Sequence, residues 1–273
     1  MQLPSVTCTV AFAALLLSAC ASVPQSKDSA LAADKVLESV SDEQGRRVSR
    51  FADGALLAPL TAYALPEVKL ELPEARKDIS VQQMDILSNA LNRSVCTRLG
   101  QYLMAEPVPS ETALKIEIAL TGITPTSKAM SGISAAADFF VPGPFRIPVG
   151  MGAIALDARA TTAGKTAAFM RWAKGANPVF NSAKVSSIGD AYALIDTFTR
   201  EFGQLLLQGT SKVKTRQKLP DDLITANETL CESRYGKVDS VAKGASFLLP
   251  LSPEFIDKGK PEVEQAAGEP DER

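Results

Sequence analysis

The sequence contains no histidine. That removes Ser–His–Asp and Cys–His nucleophilic catalysis, and the commonest metal ligand with them. Cysteine does not fill the gap, because Cys8, Cys20, Cys96 and Cys231 are far apart and none stands in a C-x-x-C pair. Neither a metal nor a cofactor is expected. A basic excess is missing too: 29 Lys and Arg face 31 Asp and Glu, a net charge of -2. Nothing in that balance suggests nucleic acid as a partner. The apolar run near the start, Val10 to Leu17, is about eight residues, against roughly 18 for a membrane-spanning helix.

That short run is informative in another way. Met1 to Ala19 carries no charged side chain and has the length of a signal-peptide core. Leu17-Ser18-Ala19-Cys20 follows it and resembles the lipobox of bacterial lipoproteins, although the usual Lys or Arg ahead of the core is missing. The resemblance implies cleavage after residue 19 and acylation of Cys20. One buried chain holds marginally and several hold firmly, at about 0.8 kcal/mol per methylene. Ala21 stands where related lipoproteins carry an inner-membrane aspartate. The expected location is therefore the periplasmic face of the outer membrane, with the chain joined to the membrane by its N-terminal lipid.

Two cysteines are left, Cys96 and Cys231. An oxidising compartment favours a disulfide between them; two buried free thiols are the alternative.

Residues 20–58 are small, polar and charged, and read as a lipidated cysteine followed by a flexible tether. From 59 to 210 the pattern becomes regular. Val68, Leu70 and Leu72 alternate with charged residues, and Leu114, Ile116, Ile118 and Leu120 do the same. Between them, from Ser80 to Met104, Met84, Leu87, Leu91, Val95, Leu99 and Tyr102 recur at steps of three and four, which predicts a helix. "AIALDARATTAGKTAAFMRWA" predicts a hairpin turning at Ala163-Gly164. A second long helix is expected from Ser187 to Gln208, with Ser187 and Asp190 as its cap. These elements predict an α/β (α+β) two-layer sandwich. Its mixed sheet has about four strands, and two long amphipathic helices lie on one face, leaving a charged face open. Residues 211–235 read as linker and short helix, and 236–273 as a largely disordered tail.

Few motifs carry chemistry. "VGMGAIA" fits G-x-G-x-x-A, but prolines precede it, a strand pattern follows, and the required acid is missing. "AGKT" lacks the first glycine of a phosphate loop. Asp157 and Arg159, with Lys69, Glu71, Lys115 and Glu117, line either a polar site or a solvated sheet face with cross-strand pairs. No nucleophile joins them, so no catalytic residue is assigned. Pro125 to Gly152 is long for a connection between strands. Its Met130, Ile133, Phe139, Phe140 and Phe145 form either a partner-binding flap or a cover over the core.

"LKIEIALTGITP", "IALDARATTAGKTAAF" and "AYALIDTFTREFGQLL" resemble segments of the bacterial lipoprotein family called domain of unknown function 3313, from about Tyr63 to Gly209. That family has no established activity, so the resemblance implies location and architecture without a reaction. The expectation is a non-catalytic binding or adaptor module with a protein partner in the envelope. A hydrolase using a carboxylate pair around Asp157 and a carrier of a small apolar ligand are the alternatives.

Overall fold

The computed structural model describes residues 29–31, 35–41, 46–72, 78–127, 151–176, 186–209, 216–239, 251–257 and 259. In chain order they form β1 (Glu38–Ser41), β2 (Arg47–Ala52), α1 (Gly54–Leu57), β3 (Ala62–Ala64), β4 (Glu67–Leu70) and α2 (Val81–Leu99). There follow β5 (Met104–Glu106), β6 (Lys115–Thr124), β7 (Ala153–Thr162), β8 (Lys165–Gly175), α3 (Gly189–Gln208), α4 (Asp221–Tyr235) and α5 (Pro253–Ile256).

The main sheet has six strands in the order β1-β2-β8-β7-β6-β4, and β3 and β5 pair separately. All neighbours in the main sheet are antiparallel except β4 and β6, which are parallel and flank α2 in sequence. The fold is a mixed α+β one. Its core is the seam where β6, β7 and β8 present Ile118, Leu120, Ile154, Leu156, Met170 and Trp172 to α2 and α3. Phe198 and Phe202 of α3 stack at 5.6 Å, and Trp172 meets Phe198 edge-on at 5.7 Å.

The β6–β7 register keeps this seam continuous. Ile116, Ile118 and Leu120 alternate inward, and a shift between Leu120 and Gly122 then reverses the parity. Ile123 is thereby buried in the same core and pairs with Ile154. Without the extra residue the period of two would turn Ile123 outward. The β7–β8 turn is Ala163-Gly164, both with positive φ (47° and 72°). This is the two-residue geometry that suits the twist of a hairpin.

Four expectations are corrected. The main sheet has six strands rather than about four, and two of them come from the stretch read as tether. β2 pairs along β8 and sinks only Val48 fully, so its local pattern is too weak to announce a strand. The supposed tail contains α5, whose Ile256 is 7% exposed, and the wholly buried Asp257. The second sheet face is not open: Ala119 and Phe169 are covered by Leu31 with Leu37 alongside, and Asp157 is fully buried there. Finally, α2 stops at Leu99, five residues short of Met104. Met104 instead donates its N–H to Thr61 and starts β5.

The cap assigned to α3 also differs. The N-cap is Ile188, with no side-chain hydrogen bond, and Asp190 lies buried. Its Oδ2 accepts from the Gly152 N–H at 2.7 Å and the Thr126 hydroxyl at 3.1 Å. The carboxylate thus ties the start of α3 to the end of β6 and the approach to β7.

Candidate functional site

α2 begins with a reciprocal capping box, Ser80 and Gln83 each bonding the other's backbone N–H. Leu87, Leu91, Val95 and Leu99 commit one of its faces to the core. α3 does the same with Ile195, Phe198, Phe202 and Leu206. The flanks left over face each other across an open groove of about 810 Å³. Arg93, Ser94, Thr97 and Arg98 line it from α2, and Tyr192, Asp196, Thr199 and Arg200 from α3. Leu251, Pro253 and Ile256 of the C-terminal segment line it as well.

Most of the groove's charge is neutralised locally. Arg93 forms a buried ion pair with Asp257 and also donates to the carbonyls of Tyr235 and Gly236. Tyr192 donates its hydroxyl to the same Asp257 at 2.8 Å. Burial, then the Asp257 charge, pushes the Tyr192 phenol well above its ordinary value, so it stays a donor. Arg200 pairs with Asp196 one turn earlier, and Lys237 with Glu232. Arg98 behaves differently. Its guanidinium sits 5.8 Å from the centre of the Tyr102 ring, and its stem crosses to α3 at Gly203, where a Cβ would come within 2.9 Å of Cγ.

Cys96 and Cys231 form a disulfide, so of the two readings of these residues the bridged one holds. It fastens α4 to α2, and the Tyr63 hydroxyl donates to the Cys96 carbonyl beside it at 2.7 Å. Asp157 and Arg159 do not converge on a polar site. Asp157 takes both Nε and Nη2 of Arg171, its cross-strand partner, and Arg159 holds Glu117, which also binds Lys69 at 3.2 Å. They are cross-strand ion pairs. Gly152 of the dinucleotide look-alike serves close packing: a Cβ there would lie 2.7 Å from the Thr126 hydroxyl. Cys20, Met130, Ile133, Phe139, Phe140 and Phe145 lie outside the described residues. No group of three or more metal-ligating His, Cys, Asp or Glu occurs among the described residues.

A family model described as "Protein of unknown function (DUF3313)" matches residues 27–202. The chain belongs to that family. The DUF3313 match starts at Lys27, ahead of the Tyr63 suggested by the motifs, so it takes in β1 and β2. It ends at Phe202, which leaves α4, α5 and Cys231 beyond it. The C-terminal wall of the groove is therefore built by residues outside the DUF3313 match. No curated protein matches the chain. Among solved structures, the PelC L103M dodecamer from Paraburkholderia phytofirmans is similar at 9% identity, over 61% of this chain and 99% of that one, with a TM-score of 0.33.

The groove residues were not singled out by periodicity. Arg93 and Arg98 are two of many polar residues beside the apolar stripe of α2, and the Asp257 that partners Arg93 is far away in sequence.

Proposed function

We propose that this protein is a non-catalytic binding or adaptor module of the bacterial cell envelope. Acyl chains on Cys20 hold it to the periplasmic face of the outer membrane, and the groove between α2 and α3 holds what it binds. The observation that carries the binding reading is the groove itself, about 810 Å³ in volume and lined by charged and polar side chains together with apolar ones. That size suits a small molecule or a segment of a partner. The lipobox supports the location. Both oxygens of Asp157 accept from Arg171, which favours binding over the carboxylate-pair hydrolase.

A photo-crosslinking residue placed at Thr97 in the groove, or at the exposed Ala226 on α4, tests this in intact cells. Position 97 should give a specific adduct that position 226 does not, and Cys20→Ala should release the protein from the membrane fraction. Equal labelling at both positions would sink the assignment of the groove. Unchanged fractionation would sink the anchor.

A further inference from the structure

The proposed anchor and the folded domain are close together in the chain. Leu31 is already buried against Ala119 and Phe169, and the Ala30 N–H donates to Glu71 Oε2 at 2.9 Å. Only residues 21–28 separate Cys20 from Ser29. Whatever their conformation, the steps between those two residues reach at most about 32 Å. A domain of this size has a radius of gyration of about 18 Å and is roughly 45 Å across. An anchor at Cys20 therefore favours the side of the domain at Glu71 as the one next to the bilayer.

That side carries exposed apolar groups. Leu70, the residue before Glu71, ends β4 and is 48% exposed. β4 packs beside α2, whose first residue, Val81, is 78% exposed. Phe255 of α5 is 63% exposed, and α5 is tied to the start of α2 by the Gln83 amide, which donates to Glu254 at 2.6 Å. Two further large apolar side chains are exposed among the described residues, and both lie elsewhere. Val36 precedes β1 at the opposite edge of the sheet, and Val108 follows β5, beyond the C-terminal end of α2. Asp78 and Asp85 are exposed close to Val81 in sequence, so charge does not draw this side to anionic lipid.

We propose that this side of the domain is a membrane-docking surface, with Leu70, Val81 and Phe255 entering the headgroup region of the leaflet that holds the acyl chains. Apolar residues exposed singly are ordinary, and each alone holds lipid negligibly. The anchor supplies a high effective concentration, so a weak apolar contact suffices to set the orientation. Ser94, Thr97 and Arg98 of the groove belong to the other half of α2 and stay accessible from the periplasm. The surface rests on the Cys20 anchor proposed above and gives it a second, direct contact with lipid.

The test uses the full chain, purified from membranes, in phosphatidylcholine vesicles with a brominated lipid as quencher. A fluorophore is attached through Gln82→Cys, Val108→Cys or Ala226→Cys, all exposed positions. At 82 its emission should shift to the blue and be quenched, since interfacial insertion reaches about 5–10 Å into the headgroup–acyl boundary. At 108 and 226 neither should occur. High salt should leave the signal at 82 unchanged, because the contact is apolar. Leu70→Ser, Val81→Ser and Phe255→Ser combined should abolish it, with an unchanged circular dichroism melt as the check on folding. Equal signals at the three positions, or a signal at 82 that is lost in salt or survives the triple change, overturn the surface and leave the anchor standing. Failure of the unlabelled chain to float with vesicles overturns both.

Discussion

Arg93 and Asp257 stand 164 positions apart in sequence and form an ion pair in which the carboxylate is fully buried and the guanidinium side chain is 10% exposed. The pair joins the middle of α2 to the end of α5. Tyr192 of α3 completes it, so one carboxylate gathers three elements at the rim of the groove. Removing one partner of a buried pair strands the other charge, which typically costs about 3–5 kcal/mol. Asp257→Ala should therefore destabilise by about 3 kcal/mol in denaturant unfolding. Arg93→Met combined with Asp257→Leu should cost clearly less than the single change, because no charge is left behind. A double variant as unstable as the single one would contradict this account.

The disulfide is expected to govern α4. That helix buries only Asn227, Cys231 and Tyr235, too little apolar area to dock it firmly by itself. Its other ties include the Asn227 amide, which donates to the carbonyls of Gly100 and Leu103 and accepts from the Ala105 N–H, the Tyr235 hydroxyl on the carbonyl of Pro66, and the Tyr235 carbonyl, which accepts from Arg93. The bridge closes a sequence separation of 135, for which the chain-entropy relation gives up to about 5 kcal/mol. Cys231→Ala should lower stability by several kcal/mol. In hydrogen exchange, residues 221–235 should lose protection before α3 does. Mass spectrometry without reductant should find the Cys96 and Cys231 peptides joined.

What the sequence made legible follows from where the signals are local. The β7–β8 hairpin carries its own alternation and its own turn at Ala163-Gly164. α2 and α3 carry apolar faces that repeat over many turns. β2 carries almost nothing, because a strand that sinks only Val48 writes no alternation. The groove is harder still, since it arises between the polar flanks of two helices, where sequence constrains least. Asp257 was invisible as a structural residue because its partners, Arg93 and Tyr192, are distant in the chain. Asp190 misled for a related reason. Its spacing from Ser187 imitates a cap, whereas Thr126 and Gly152, far earlier, claim the carboxylate.

Two glycines should respond oppositely to alanine. At Gly152 a Cβ would meet Thr126 Oγ1 at 2.7 Å, the Thr124 carbonyl at 2.9 Å and Asp190 Cβ at 3.0 Å. Backbone and a buried side chain cannot both retreat, so Gly152→Ala should cost about 1–3 kcal/mol, the usual penalty of overpacking. At Gly54, the first residue of α1, nothing lies within 4 Å. Gly54→Ala should be neutral or stabilise by about 0.4–1 kcal/mol through the unfolded chain. Thermal unfolding of the two variants side by side checks both signs.

Acid should loosen the C-terminal wall of the groove through Glu254. Burial by itself would raise this carboxyl, but hydrogen bonds from Gln83 at 2.6 Å and Ser186 at 2.7 Å outweigh burial and hold it below the usual carboxylate range. A group whose pKa is lower in the folded state binds protons more readily when unfolded. Its contribution is therefore complete above the unfolded value and is lost as pH falls through the folded one. The window opens below about 4.5, the ordinary glutamate value here. Glu117 behaves in the same direction: burial raises it and the hydrogen bonds from Arg159 and Lys69 prevail. Denaturant midpoints between about pH 3 and pH 6 should fall with acid. Glu254→Gln keeps an acceptor for Gln83 and Ser186 but no longer titrates, so its midpoint should fall less steeply than that of the unaltered chain. Glu117→Gln should flatten the slope independently, since Glu117 lies on the sheet face and shares no partner with Glu254. Identical slopes in all three proteins would show that neither carboxylate is held in the way its hydrogen bonds imply.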